Sequence, residues 1–384
     1  MIIGILTQPL RLNYGGILQN YALQQVLINL GHMPITIDLK SKVYPNWYIK
    51  LSRLKQWLSY LINPIYKKKP PYILTHNEDM YIRKNSIAFI NEFIKRTYPC
   101  ASTLDFRNVI SEYKIDAYVV GSDQCWRPSY NMYPMAMFLD FCRDLDIKKR
   151  IAYAASFGSD KWEFSPEETI ECADLAKLFN VITTREDTGV DLCRKHLGVD
   201  AINVLDPTML LEREFYEQLI KRNQIAKSKG ELFSYILDPT TKLKNFINNI
   251  SVKTGYKSFD VLPQYNEDHR VKEDIKKRID DCVYPSPLVW IKAFIDAKMI
   301  IVDSFHGAVF SIIFNKPFWV VGNKERGMAR FNSLLLQFGL KDRLISENQL
   351  DDIDIYAPID WEVVNEILIK KRKESINVLK YSLE

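Results

Sequence analysis

The chain is short of the residues that build metal or disulfide scaffolds. Its 384 residues hold six cysteines, Cys100, Cys125, Cys142, Cys172, Cys193 and Cys282, scattered and never paired as CxxC. That spacing excludes a zinc finger and a dense disulfide framework. Histidines number five, and no ligand cluster demands a metal. No run approaches the ~20 nearly uncharged residues of a spanning helix. The most apolar window, Met299 to Val321, is interrupted by Asp303, His306, Lys316 and Pro317. GxGxxG is missing, so the dinucleotide fingerprint is absent. Internal repeats and low-complexity tracts are absent too. No signal peptide is read at Met1-Ile2-Ile3-Gly4, which opens as a strand, so a cytoplasmic location is expected.

Charge, by contrast, is plentiful, with a net +5. That excess is compatible with anionic substrates or an anionic membrane surface and too weak to argue for nucleic acid. The length suggests two domains at ~100–200 residues each. An excursion over 44–72 combines Trp47, Tyr48, Leu51, Leu54, Trp57, Leu58 and Tyr60 with Lys50, Arg53, Lys55 and Lys67-Lys68-Lys69. Aromatic and basic residues on a helix suit peripheral contact with a membrane surface. A helix packed on its own domain with a solvated basic tip suits them too and is the favoured reading.

The rest of the chain alternates strand and helix. Short apolar runs at Ile2–Thr7, Pro34–Leu39, Ala117–Val120, Arg150–Ala155 and Val181–Thr184 read as strands. Asn13-Tyr14-Gly15-Gly16 reads as a turn before a helix over Ile17–Leu30, which Gly31 stops. A second series runs through Ile202–Leu205, Leu232–Leu237, Phe259–Leu262, Met299–Val302 and Pro317–Val321, with a helix at Pro287–Ala297. The polar stretch Cys193–Asp200 is the candidate boundary. This rhythm predicts an α/β protein of two Rossmann-like domains facing a cleft. The expected division is residues 1–190, 191–350 and a C-terminal helical tail, 351–384. That tail either crosses back onto the first domain or packs on the second.

Ligands of such sheets bind where strand C-ends meet loops. Asp303-Ser304-Phe305-His306-Gly307 is one such elbow, between the apolar runs Met299–Val302 and Ala308–Phe314. A helix N-terminus offers N–H groups and a positive dipole end to an anion, and histidine exchanges protons near neutral pH. The same residues also fit a hydrogen-bonded core histidine. Gly121-Ser122-Asp123-Gln124 brings a hydroxyl, a carboxylate and an amide to another strand end, or is an ordinary cap. Arg185 ends the fifth run, as a phosphate or carboxylate clamp or as a surface ion pair with Glu186 or Asp187. Arg326 and Arg330 follow Gly322-Asn323-Lys324, as further cations or as a solvated helix face.

Five segments together resemble one family. They are Asn13-Tyr14-Gly15-Gly16-Ile17-Leu18-Gln19, Gly121-Ser122-Asp123-Gln124-Cys125-Trp126, Ser156-Phe157-Gly158, Asp206-Pro207-Thr208 and Asp303-Ser304-Phe305-His306-Gly307. In this order they resemble the polysaccharide pyruvyl transferases, from the first strand to about Leu340. The resemblance implies a fold similar to GT-B glycosyltransferases and transfer of pyruvate from phosphoenolpyruvate to a sugar. It places the catalytic histidine at His306 and a donor-binding arginine at Arg185. Some relatives carry an arginine two residues before the histidine, where this chain has Ser304. Backbone N–H groups around Phe305 and Gly307 are then expected to share the donor contact. Asn13, Gly15, Gly16, Ser122, Gln124, Ser156 and Arg326 complete the expected binding set, with Asp123 as a second catalytic candidate.

The chemistry fits these residue types. Phosphoenolpyruvate is a small polyanion that needs cationic clamps and an acid or base near its reacting carbon or a sugar hydroxyl. It needs no redox cofactor, and no cofactor is expected. The acceptor is expected to be a galactose-type sugar of a surface polysaccharide, with a free, a nucleotide-linked and a lipid-linked form all open. Two other readings stay open. One is a GT-B glycosyltransferase using a nucleotide sugar, and the other a non-catalytic carbohydrate-binding protein.

Overall fold

The computed structural model describes residues 1–40, 74–264, 278–322 and 328–384, together with Leu51, Ser52 and Leu54. The rest of the 44–72 excursion, and Arg326, lie outside the described residues. Six parallel strands, β1 (Ile2–Leu6), β2 (Met33–Thr36), β3 (Ala117–Val120), β4 (Lys149–Ala155), β5 (Val181–Thr184) and β6 (Ile202–Asn203), pair in the order β2-β1-β3-β4-β5-β6. Five more, β7 (Leu232–Tyr235), β8 (Ser258–Phe259), β9 (Met299–Val302), β10 (Phe318–Val321) and β11 (Leu344–Ile345), form a second parallel sheet, β11-β10-β9-β7-β8. Every residue of β3, β9 and β10 is buried. Crossover helices cover both faces of a parallel sheet, which is why these runs are continuously apolar. The expected two-sheet α/β architecture is the observed one.

Strand order reverses between β1 and β3 in the first sheet and between β7 and β9 in the second. At such a switch point the outgoing chains leave in opposite directions and open a crevice beyond the strand ends. Here the two crevices meet. The helix α1 (Tyr14–Asn29) leaves one, and α2 (Phe305–Ile313) leaves the other. Downstream lie α3 (Ala329–Gln337) and the long C-terminal α4 (Trp361–Leu383). Helix α1 is buried almost all round, from Tyr14 through Gln24. That burial shows in its sequence as apolar residues on every face.

Three expectations are corrected. Ile202–Asn203 pairs with Thr183–Thr184 and closes the first sheet instead of opening the second. The polar stretch after Cys193 extends the crossover helix that begins at Asp187 and carries its exposed basic face. Gly15 and Gly16 lie inside the first turn of α1 and do not form a turn ahead of it. The tail, which the sequence left with two homes, packs across the first half. The Leu205 N–H donates to Ser375 Oγ at 3.0 Å, and Arg372 Nε donates to the Met209 carbonyl at 2.8 Å. Val364, Leu368, Leu379 and Leu383 join a core that also holds Ile3, Ile151 and Phe310, so one apolar cluster runs through both halves. Among the described residues no helix is long and apolar enough to cross a membrane.

Candidate active site

The β9–α2 elbow is fixed from both sides. The Asp303 carboxylate accepts the N–H groups of Leu237 at 2.9 Å and Asp238 at 2.8 Å, tying the elbow to the end of β7. Ser304 is the N-cap of α2, its Oγ accepting the Gly307 N–H at 3.1 Å. A Cβ on Gly307 would lie 2.8 Å from Val302 Cγ1. Gly307 is thus a closely packed position whose N–H is bonded to Ser304. The cap turns Phe305 and His306 toward the first sheet.

There His306 meets two residues of the other half. Its Nδ1 lies against Gly15 so closely that a Cβ there would sit 2.0 Å from it. Its Nε2 is 3.5 Å from Asp206 Oδ2. Asp206 is rigidly held. Oδ1 accepts from Thr208 N–H at 3.0 Å and from its hydroxyl at 2.7 Å. Oδ2 accepts from Arg185 at 3.0 Å and from Ser122 Oγ at 3.1 Å.

Arg185 links this carboxylate to Asp123, at 3.3 Å, and its guanidinium lies 4.2 Å above the Phe305 ring. Its side chain is 1% exposed. The guanidinium expected as a clamp or a surface ion pair is therefore turned to two buried carboxylates. Asn13 Nδ2 donates to Asp123 Oδ2 at 2.8 Å. Burial works against charge on Asp123, but Arg185, then His306 and Arg330, outweigh it and hold its carboxyl below the usual range. Burial likewise opposes Asp206, and the attraction of His306 and Arg185, with the Thr208 hydroxyl, holds it far below. Arg330 is buried near Arg185; desolvation first and that repulsion second bring it down to about 10, still a cation at neutral pH.

Around these groups lies a cleft of about 360 Å³. The first half contributes Gln8, Asn13, Gly15, Asp123 and Gln124, and the second Ser304, Phe305, His306 and Arg330. An aromatic wall of Tyr235, Tyr284, Trp290 and Phe331 completes it. Gly16, Ser122, Ser156, Arg185 and Gly307 stand behind this surface. A Cβ on Gly16 would press on Asn13 and Asp123 at 3.0 and 3.2 Å. Ser122 braces Asp206, and Ser156 donates to Glu186 Oε1 at 2.9 Å. Gly158 has φ +70°, and a Cβ there would lie 2.1 Å from Gln124 Oε1, so it seats a lining side chain.

Sequence reasoning missed Asp206 as the hub of the charges and the aromatic wall, and of the two cations it named it took Arg326 into the binding set, whereas Arg330 lines the cleft. The Asp-Pro-Thr run was the signal for the first, since a carboxylate two residues before threonine forms its own cap. The wall gathers residues from three separate segments and left no local signal. Among the described residues no group of three or more His, Cys, Asp or Glu side chains is placed to hold a metal ion.

No curated protein matches the chain. Solved structures share its fold at low identity. UDP-GlcNAc 2-epimerase from Methanocaldococcus jannaschii, in complex with UDP-GlcNAc and UDP, is 12% identical over 99% of both chains, with a TM-score of 0.51. S. aureus MnaA, in a co-structure with UDP, is 11% identical over 100% of this chain and 96% of its own, with a TM-score of 0.51. Arabidopsis thaliana UGT89C1, complexed with UDP-L-rhamnose, is 8% identical over 99% of this chain and 98% of its own, with a TM-score of 0.52. These likenesses place the architecture in the GT-B class. The family model of polysaccharide pyruvyl transferase matches residues 13–325. That span contains the switch point of the second sheet, the Gly15–His306 contact and the Asp123–Arg185–Asp206 charges, and the chain belongs to the polysaccharide pyruvyl transferase family.

Proposed function

We propose that the protein transfers pyruvate from phosphoenolpyruvate to a galactose-type sugar as a ketal bridging two hydroxyls, in surface polysaccharide biosynthesis. One observation carries this reading. A buried imidazole lies where the two halves meet, beside an ionised carboxylate and a buried guanidinium that lines the same cleft. Arg330, with the N-terminal end of α2, takes the anionic groups of the donor. Gln8, Asn13 and Gln124 hydrogen-bond sugar hydroxyls from the first half, which is the acceptor side.

The balance of the reaction sets what His306 does. The donor's methylene carbon gains a proton, and a sugar hydroxyl bonds to C2 and gives its proton up. Phosphate then leaves with its bridging oxygen, and a second hydroxyl closes the ketal, its proton leaving with phosphate. His306 carries protons between hydroxyl and carbon. Asp123, held ionised by Arg185, is a weak base and acts as acceptor for a hydroxyl. No cofactor enters this scheme.

The test is incubation with phosphoenolpyruvate and a panel of galactosides and lipid-linked glycans, following inorganic phosphate and the ketal. His306→Ala is expected to lose about 10²–10⁴-fold in kcat while staying folded. A folded His306→Ala protein with wild-type turnover refutes the assignment. Release of a nucleoside diphosphate from a nucleotide sugar, with no phosphate from phosphoenolpyruvate, replaces the reading with a glycosyltransferase.

A further inference from the structure

The two nitrogens of His306 have different surroundings. Nε2 is buried, makes no hydrogen bond among the described residues, and faces Asp206 Oδ2 at 3.5 Å. Four hydrogen bonds, from Thr208, Ser122 and Arg185, keep that carboxylate from turning away. An ionised carboxylate only accepts, so the nitrogen facing it is favoured as N–H. Nδ1 lies over Gly15, a residue that lines the cleft. Gly15 is helical, so alanine would suit its backbone, and the three atoms nearest to an added methyl group all belong to the imidazole.

We infer that Asp206 is a positioning residue that holds His306 as its Nε2–H tautomer, leaving Nδ1, above Gly15, as the nitrogen that exchanges protons with substrate. The second half of this statement rests on the proposed reaction, and the tautomer does not. In that reaction the ring enters doubly protonated, its Nδ1–H gives its proton to the methylene carbon, which binds it with the electron pair of the double bond, and the ring is left as the neutral Nε2–H form. The hydroxyl oxygen bonds to C2, and its proton returns to Nδ1. Nε2 keeps its own proton throughout. The reacting side chain comes from the second sheet, while its tautomer and its seat come from the first. The acid–base group is complete only with the two halves together.

The tautomer is read from ¹⁵N shifts of labelled histidine in the substrate-free protein, at a pH where the ring is neutral, with His306 assigned by its loss in His306→Ala. Nε2–H is expected in the wild type, and a shift toward Nδ1–H in Asp206→Asn. That variant is expected to lose about 100-fold in kcat, with KM for phosphoenolpyruvate within about threefold. Gly15→Ala is expected to displace the ring signal and lose activity to a similar extent. A predominantly Nδ1–H ring in the wild type, or an active Gly15→Ala protein, overturns the inference. Should Asp206→Asn fail to fold, the wild-type spectrum and Gly15→Ala decide it. If no variant or wild type consumes phosphoenolpyruvate, the reaction is wrong, while the spectrum still judges the tautomer.

Discussion

Replacing Arg185 by methionine separates a buried keystone from a ligand clamp. The substitution keeps most of the side-chain volume and removes the charge shared by Asp123 and Asp206, whose side chains are 6% and 0% exposed. Breaking a buried ion pair by removing one partner costs about 3–5 kcal/mol, because the remaining charge stays desolvated. Two carboxylates are orphaned here, though Asn13, Ser122 and Thr208 still donate to them, so the lower half of that range is expected. The contact with the Phe305 ring adds about 0.5–2 kcal/mol. Urea unfolding at neutral pH measures the loss. A double variant, Arg185→Met with Asp123→Asn, should recover part of it by neutralising one orphan. The pH dependence has a fixed sign. Both carboxyls are lowered in the folded state, so the stability they contribute is full above the unfolded value of about 3.9 and is lost as pH falls below it. The gap between wild type and Arg185→Met must therefore narrow in acid. A variant within about 1 kcal/mol of wild type at neutral pH, the worth of a surface pair, refutes the buried-keystone reasoning.

Two further outcomes follow from the same geometry. Arg330→Met should raise KM for phosphoenolpyruvate about tenfold or more with a smaller change in kcat, measured by initial rates of phosphate release, since it removes the cation proposed to hold the donor. Gly158→Ala and Gly31→Ala both place a side chain at positive φ, +70° and +84°. The second meets nothing within 4 Å and should lose only the backbone strain of about 1–2 kcal/mol, whereas the first also drives into Gln124 and should lose more in urea unfolding.

Much of this molecule is written locally. A parallel strand covered on both faces must be an apolar run, so β1, β3, β5, β9 and β10 were visible within a residue or so of their ends. The elbow at His306 was visible for a related reason: polar residues interrupt apolar ones only where the chain leaves the sheet. Local pattern failed at Gly15 and Gly16, since two glycines read as a turn when nothing nearby shows what they make room for. What they admit is an imidazole, an asparagine and a carboxylate, the first of them from the other end of the chain. It failed again at Arg185, because a guanidinium after a strand looks the same whether it meets solvent or two aspartates. The sequence by itself determined two series of wound strands and a histidine at the C-end of one of them, because hydrophobic period and turn chemistry act over a few residues. Tertiary structure alone decided which side chains line the cleft, which are consumed in holding it, and that Asp206 faces His306, because charge and steric contact act through space between residues far apart in the chain.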